Sequence, residues 1–157
     1  VTKVHELPSD PGDRVAELVE LVLDALDLDG EVVIDEAPER LTVTVEGDDL
    51  GLVIGRRGQT IDALQHLAQR IAYVGIDERK RVIVDAAGYR ARRAKELGRV
   101  GDQAAETALK TGRPVKLDPM TPQERKVVHE HLRDRHDVET YSEGDEPQRR
   151  LVVAPVV

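Results

Sequence analysis

Two glycines three residues apart, Gly55 and Gly58, interrupt an aliphatic run. It reads Leu50-Gly51-Leu52-Val53-Ile54 before the break and resumes with helical spacing from Ile61. Gly-x-x-Gly permits a tight turn in which backbone N–H groups are expected to lie bare. A helix opening there adds unpaired N–H groups and a partial positive charge. Arg56 and Arg57 put two full charges between the glycines. Ile54, Gly55, Arg56, Arg57, Gly58 and Gln59 therefore form a candidate seat for a phosphate or for the sugar-phosphate backbone of a nucleic acid.

The segments around this turn have clear periods. Asp10-Pro11 or Asp13 opens a first helix, since Asp caps and Pro suits the first helical position. Val15, Leu18, Val19, Val22, Ala25 and Leu26 repeat at helical spacing, and Asp29-Gly30 stops the run. Val32-Val33-Ile34 reads as a strand, and Leu41, Val43 and Val45 alternate with threonines as a half-buried second one. After the turn, Ile61, Leu64, Leu67, Ala68 and Ile71 mark a helix, and Arg81 to Ala86 a third strand. Gly88 to Lys110 reads as helix with Ala94, Leu97, Ala104 and Ala108 on one stripe. Gly98 and Gly101 each weaken it by roughly 1 kcal/mol against alanine, so a kink or break is expected near Gly98. Val115 to Leu117 reads as a short strand. Thr121-Pro122-Gln123-Glu124 is a capping box that starts a helix reaching about Asp134. Val138 to Tyr141 and Arg149 to Val153 flank a turn at Gly144 to Pro147, as a hairpin does.

The net charge of −8 argues at first against a nucleic-acid partner. Its distribution argues the other way. Residues 1–50 carry 3 basic and 15 acidic residues, whereas residues 55–100 carry 11 basic and 5 acidic. A basic face on an acidic protein can still take phosphates, while the acidic end limits nonspecific binding.

The segment Ile54-Gly55-Arg56-Arg57-Gly58-Gln59-Thr60-Ile61 matches the Ile-Gly-x-x-Gly-x-x-Ile signature of a KH domain. The helix-first order with the third strand last resembles the type II, prokaryotic arrangement. The resemblance implies a loop that clamps the backbone of single-stranded RNA, with Val53, Ile54 and Ile61 shaping the wall of a groove beside it. No Gly-Lys-Ser/Thr follows and no Gly-x-Gly-x-x-Gly occurs, so neither a P-loop nor a dinucleotide site is expected.

Arg125 and His129 stand four apart on the capped helix and so share a face. Arginine offers a fork of donors and histidine a single one, a pair suited to gripping phosphate from two sides. Lys126 sits beside them, and Arg149-Arg150 opens the strand expected nearby. This Arg-x-x-x-His pair resembles the R-three-H domain, a three-stranded sheet with helices that binds single-stranded nucleic acid. A KH domain followed by an R-three-H domain resembles the bacterial Jag (KhpB) family of RNA-binding proteins. The likeness includes Asp85-Ala86-Ala87-Gly88-Tyr89-Arg90, Lys110 to Pro114, Pro119 to Arg125, Val127 to His129 and Val138 to Gly144.

The expected architecture is therefore α+β: a leader over 1–12, a type II KH domain over 13–86 with an α-β-β-α-β core, and an R-three-H domain over 87–157 that includes the connecting helix. The resemblance implies single-stranded RNA as ligand, with single-stranded DNA as a further candidate, a lone-KH partner protein, and post-transcriptional regulation linked to cell elongation and division. Many relatives carry a further N-terminal domain and a long linker that this sequence does not include, so functions tied to those parts are not expected of it. A protein–protein adaptor on a KH-like fold is the alternative, supported by the acidic first fifty residues.

Other chemistry has little support. His129-Glu130-His131-Leu132-Arg133 departs from a zinc-protease helix, because Arg133 stands where the second histidine belongs and His129 and His131 diverge. Ser9 and Ser142 sit in no nucleophile elbow. No enzyme activity, metal or cofactor is expected. No apolar run approaches the roughly 20 residues of a membrane helix, so no membrane insertion is expected. The absence of cysteine fits a cytoplasmic protein. Tyr73, Tyr89 and Tyr141 are the only aromatic residues besides histidine. Tyr89 reads either as a base-stacking platform or as a core residue at the domain junction.

Overall fold

The computed structural model describes residues 6–157; the first five residues of the expected leader lie outside them. The chain divides into a first unit ending at Arg90 and a second unit from Ala91 to Val157.

Helix α1 (Pro11–Ala25) begins inside the segment expected as leader, with Asp10 accepting from the Asp13 N–H at 3.1 Å and Pro11 in the first turn. It ends at Ala25 rather than at Asp29-Gly30. Asp27 turns into the left-handed region at φ +53° and the Leu28 N–H closes onto the Leu23 carbonyl at 2.9 Å. Val15, Val19 and Leu23 face the core, while Ala25 is exposed.

Strands β1 (Glu31–Glu36) and β2 (Arg40–Glu46) pair antiparallel, and β3 (Arg81–Ala86) runs parallel to β2 on its other side. The parallel pair requires a crossover, supplied by helices α2 (Gly51–Ile54) and α3 (Gln59–Ala72). Leu41, Val43 and Val45 on β2 and Val82, Val84 and Ala86 on β3 point into one core with Val15, Val19, Ile61, Leu64 and Ala68. Helix α3 turns Ala68 and Ala72 toward that core, which leaves Leu67 exposed. The outer edge of β3 is blocked by α3: Gln69 Oε1 accepts from the Val82 N–H at 2.7 Å and Gln65 Oε1 from the Val84 N–H at 3.0 Å. Side chains thus occupy two amides that an edge strand would otherwise offer to another chain. The α-β-β-α-β core is present, with α2 as an added turn of helix.

Helix α4 (Tyr89–Thr111) is continuous, with no break at Gly98. Its glycines serve packing instead. Gly98 and Gly101 are buried together with Leu97, Ala104, Ala105 and Ala108, while Ala94 lies exposed. The second unit continues through β4 (Val115–Lys116), α5 (Pro122–Leu132), β5 (Val138–Glu143) and β6 (Arg150–Pro155). Its strands form an antiparallel sheet in the order β4-β6-β5. Leu151 and Val153 of the central strand meet Leu97, Ala104, Ala105, Val128 and Leu132 in the second core. Among the described residues no helix is long and apolar enough to cross a membrane.

Candidate nucleic-acid interface

The Gly-x-x-Gly loop joins helices α2 and α3. Helix α2 ends at Gly55, φ +74° and ψ 174°, whose N–H donates to the Gly51 carbonyl at 2.8 Å. Arg56 to Gly58 form one 3-10 turn, in which Arg57 adopts a left-handed φ of +53°. The Gly58 N–H donates to the Gly55 carbonyl at 3.2 Å, and the Gln59 N–H to that of Arg56. The expectation of bare loop amides is thereby corrected at Gly55, Gly58 and Gln59. The chain's own carbonyls take these donors because a helix end and a 3-10 turn close on each other within four residues.

The glycines are needed for a related reason. A Cβ on Gly55 would lie 2.3 Å from Thr60 Oγ1, and one on Gly58 would lie 2.6 Å from both Cε1 and Oη of Tyr89. Both positions also have positive φ, which glycine adopts without strain. The close approach they allow is to Thr60 and Tyr89. Tyr89 accordingly packs against the first core as a junction residue, with its ring against Gly58. Val53 and Ile61, expected in a groove wall, are fully buried in that core instead. Ile54 is half-buried against it. The solvent side of the loop is cationic: Arg56, Arg57 and Gln59 are exposed, and no side chain caps the N-terminus of α3. Leu52, 63% exposed, adds an apolar surface one helical turn before the loop that the sequence reading does not single out.

In the second unit, the capping box forms as the sequence pattern requires. Thr121 Oγ1 accepts from the Glu124 N–H, and Glu124 Oε2 from the Thr121 N–H, both at 3.3 Å. The helix so started presents Arg125, Lys126 and His129 to a groove of about 520 Å³, closed on its other side by residues of β5 and by Arg149. Arg125 is only 8% exposed, and both terminal nitrogens of its guanidinium are engaged. Nη1 donates to the carbonyls of Met120 at 2.9 Å and Arg149 at 3.3 Å, and Nη2 pairs with the Glu146 carboxylate. It therefore ties α5 to the β5–β6 connection rather than presenting an open fork, because backbone carbonyls and the Glu146 carboxylate take its guanidinium. The hydrogen bond from its guanidinium holds the Glu146 carboxyl below the ordinary glutamate pKa.

His129 is exposed, and its Nδ1 pairs with the Thr140 hydroxyl, which fixes the ring against β5. Thr140 lines the groove, and a search for charged side chains passes over it. Lys126 is well exposed, with Glu130 3.8 Å away. Arg149 is half-engaged, donating to the carbonyls of Gly144 at 2.7 Å and Ser142 at 3.4 Å. Arg150 opens β6 opposite Glu143 and is not part of the groove lining. The structure thus brings Arg125, Lys126, His129 and Arg149 together and leaves Arg150 outside. Among the described residues, no three His, Cys, Asp or Glu side chains converge as a metal ion requires.

Residues 13–85 match the family model of the KhpA/KhpB KH domain, and residues 95–155 that of the R-three-H domain. The RNA-binding protein KhpB of Clostridium symbiosum is 35% identical over 144 residues, covering 90% of this chain and 65% of the relative. The protein of the same name from Lactiplantibacillus plantarum is 38% identical over 133 residues, 85% of this chain and 41% of the relative. That of Bacillus subtilis is 31% identical over 147 residues, 92% of this chain and 71% of the relative. The chain thus spans less than two thirds of the first two relatives and somewhat more of the third.

Proposed function

This chain belongs to the KhpB family, and on that premise we propose that it binds single-stranded RNA at two sites, one on each unit, in the service of post-transcriptional regulation. The observation that carries the proposal is the pair Arg56 and Arg57, both exposed on a loop held between two left-handed glycines at the uncapped start of α3. Two guanidinium groups on one 3-10 turn suit successive phosphates of an extended strand, and the α3 N-terminus adds a favourable potential for anions. Exposed Leu52 and half-buried Ile54 offer apolar surface on which unstacked bases can rest. That arrangement favours a single strand over a duplex, whose bases are enclosed.

At the second site the donors are Lys126, His129 and the partly engaged Arg149, with Arg125 holding the groove in shape. Two modest sites on one chain raise overall affinity through effective concentration when one RNA reaches both. The relatives' names support RNA in particular; single-stranded DNA shares the phosphates and lacks the 2′-hydroxyl by which proteins separate the two.

Fluorescence anisotropy with a labelled single-stranded RNA of roughly a dozen nucleotides tests the proposal. The Arg56→Asp/Arg57→Asp double variant is expected to lose at least about ten-fold in affinity, since it reverses two phosphate-facing charges. Unchanged affinity would remove the loop from the interface. Lys126→Ala and His129→Ala test the second groove in the same way.

A further inference from the structure

The segment Asp85-Ala86-Ala87-Gly88-Tyr89-Arg90 is absorbed neither by the loop nor by the second groove, yet it reaches the loop and the start of α3 at two points, Gly58 and Asp62. Asp85 Oδ1 accepts from the Ala86 N–H at 2.8 Å and from the Arg90 N–H at 3.2 Å, drawing the segment into a corner. Ala87 and Gly88 turn that corner with consecutive left-handed φ values of +48° and +66°. The corner delivers two side chains to the same region. The Tyr89 ring lies against Gly58, where it fills the space that a Cβ would need. The Arg90 guanidinium ties the end of β3 to the first turn of α3, with Nε donating to the Val84 carbonyl at 2.8 Å and Nη1 to Asp62 Oδ1 at 2.9 Å.

We infer that this corner is the positioning element of the Gly-x-x-Gly loop, with Tyr89 setting Gly58 and Arg90 setting the start of α3; the inference rests on reading that loop as an RNA-binding site. Gly58 directly follows Arg57, the non-glycine residue held at a left-handed φ of +53°. Such a residue persists only where its surroundings over-determine it. A rigid ring on one side of Gly58 and a fixed helix start on the other supply that constraint. With the backbone held, both arginines project from one geometry, so less ordering remains to be done when RNA arrives. Tyr89 is then a positioning residue that acts through the loop, and no base stacks on it.

The test measures amide hydrogen exchange over Gly55 to Gln59 and affinity for the same labelled RNA, on the full chain. Tyr89→Leu is expected to speed exchange of the loop amides and to weaken binding by about five- to ten-fold, the scale of re-ordering a few side chains. Tyr89→Phe keeps the ring and should restore both readings. On the Arg56→Asp/Arg57→Asp background, Tyr89→Leu should cause no further loss, because it acts only through those side chains. If Tyr89→Leu melts the first unit, Arg90→Gln keeps the ring, frees Asp62 and should give the same two changes at smaller size. Unchanged loop exchange in these variants overturns the inference, as does Tyr89→Phe behaving like Tyr89→Leu. A full further loss on the charge-reversed background also overturns it, since Tyr89 would then touch RNA directly. If the charge reversal alone leaves affinity intact, the RNA-binding reading of the loop has failed; loop exchange still decides whether the corner positions it.

Discussion

The His131 ring occupies the space that a Cβ on Gly98 would need, with Cε1 3.1 Å and Nδ1 3.2 Å from that position. One turn further along α4, Gly101 stands in the same relation to Val128, whose Cγ1 is 3.0 Å from the corresponding point. The two glycines look equivalent in sequence and differ in what they face. His131 is a half-exposed side chain that can swing aside, at the expense of its 3.0 Å contact with Asp102. Val128 is fully buried and β-branched, and has nowhere to go. Gly98→Ala is therefore expected to be neutral or stabilising by up to about 1 kcal/mol, the helix-propensity gain. Gly101→Ala makes the same gain and incurs an overpacking cost of roughly 1–3 kcal/mol, so it should destabilise. Hydrogen exchange of the α4 amides reads both. Equal destabilisation by the two variants would show that α5 cannot adjust at either point.

Glu124 has two duties on its two oxygens. Oε2 completes the capping box with the Thr121 N–H, and Oε1 accepts from Arg93 Nε at 2.8 Å, where both side chains are largely buried. Removing only the hydroxyl cap, as in Thr121→Ala, should cost about 1 kcal/mol. Glu124→Ala removes the reciprocal cap and one of the two carboxylate partners of Arg93, which keeps Glu96 at 3.0 Å, so a loss on the order of 2 kcal/mol is expected. Glu124→Gln keeps the cap and should fall between them. A ranking in which Thr121→Ala is the most harmful would mean that the Arg93 pair contributes nothing. Urea titrations followed by amide signals of α5 give the ranking.

The helix starts and strands are legible in the sequence because each depends on neighbours along the chain. Asp10-Pro11 and Thr121-Pro122-Gln123-Glu124 state their own hydrogen bonds, and the alternation Leu41, Val43, Val45 states which face of β2 is buried. What depends on distant neighbours is not legible. Gly98 and Gly101 read as helix breakers because propensity counts only the helix itself, whereas α5 packing decides their role. Arg125 reads as a surface donor by its spacing from His129, yet the carbonyls of Met120 and Arg149 draw its guanidinium inward. The loop is legible as a turn with two arginines. That its glycines make room for Thr60 and Tyr89 requires the third dimension, since Tyr89 lies across the whole of α3 and β3 in sequence.

Salt tests the proposal that the loop engages phosphates, and counts them. For single-stranded nucleic acid, the slope of log affinity against log salt changes by about 0.7 per neutralised phosphate. Arg56→Ala is expected to reduce the slope by roughly that amount, and the Arg56→Ala/Arg57→Ala pair by roughly twice it. His129→Ala should weaken binding through the hydrogen bond its ring loses, without touching the loop's two charges. A slope that does not respond to either arginine would place the two guanidinium groups away from the backbone of the RNA. Anisotropy titrations over a range of potassium chloride concentrations supply the measurement.

Acid should loosen the second groove through Glu146. The hydrogen bond from Arg125 is the main cause that lowers this carboxyl below its ordinary value of 4.5, with the nearby Arg149 charge acting in the same direction. A carboxyl depressed in the folded state contributes stability above its unfolded pKa, and that contribution is lost as pH falls through the folded one. The window therefore opens below about 4.5 and extends downward. Within it the Glu146 side of the pair becomes neutral, so Arg125 loses its charged partner and keeps only neutral acceptors, the Met120 and Arg149 carbonyls among them. The Gly144–Arg149 connection, which also carries the Arg149 bonds to Gly144 and Ser142, then loses one of its anchors. Other carboxylates titrate in the same range, so the comparison is with Glu146→Gln, which cannot ionise. The unmodified protein should hold the β5–β6 connection more firmly at pH 6 and converge with the variant as the pH drops toward 3. Amide exchange across residues 144–149 follows both. A constant difference at every pH, or none at pH 6, would mean that the Arg125–Glu146 contact has no part in holding the groove together.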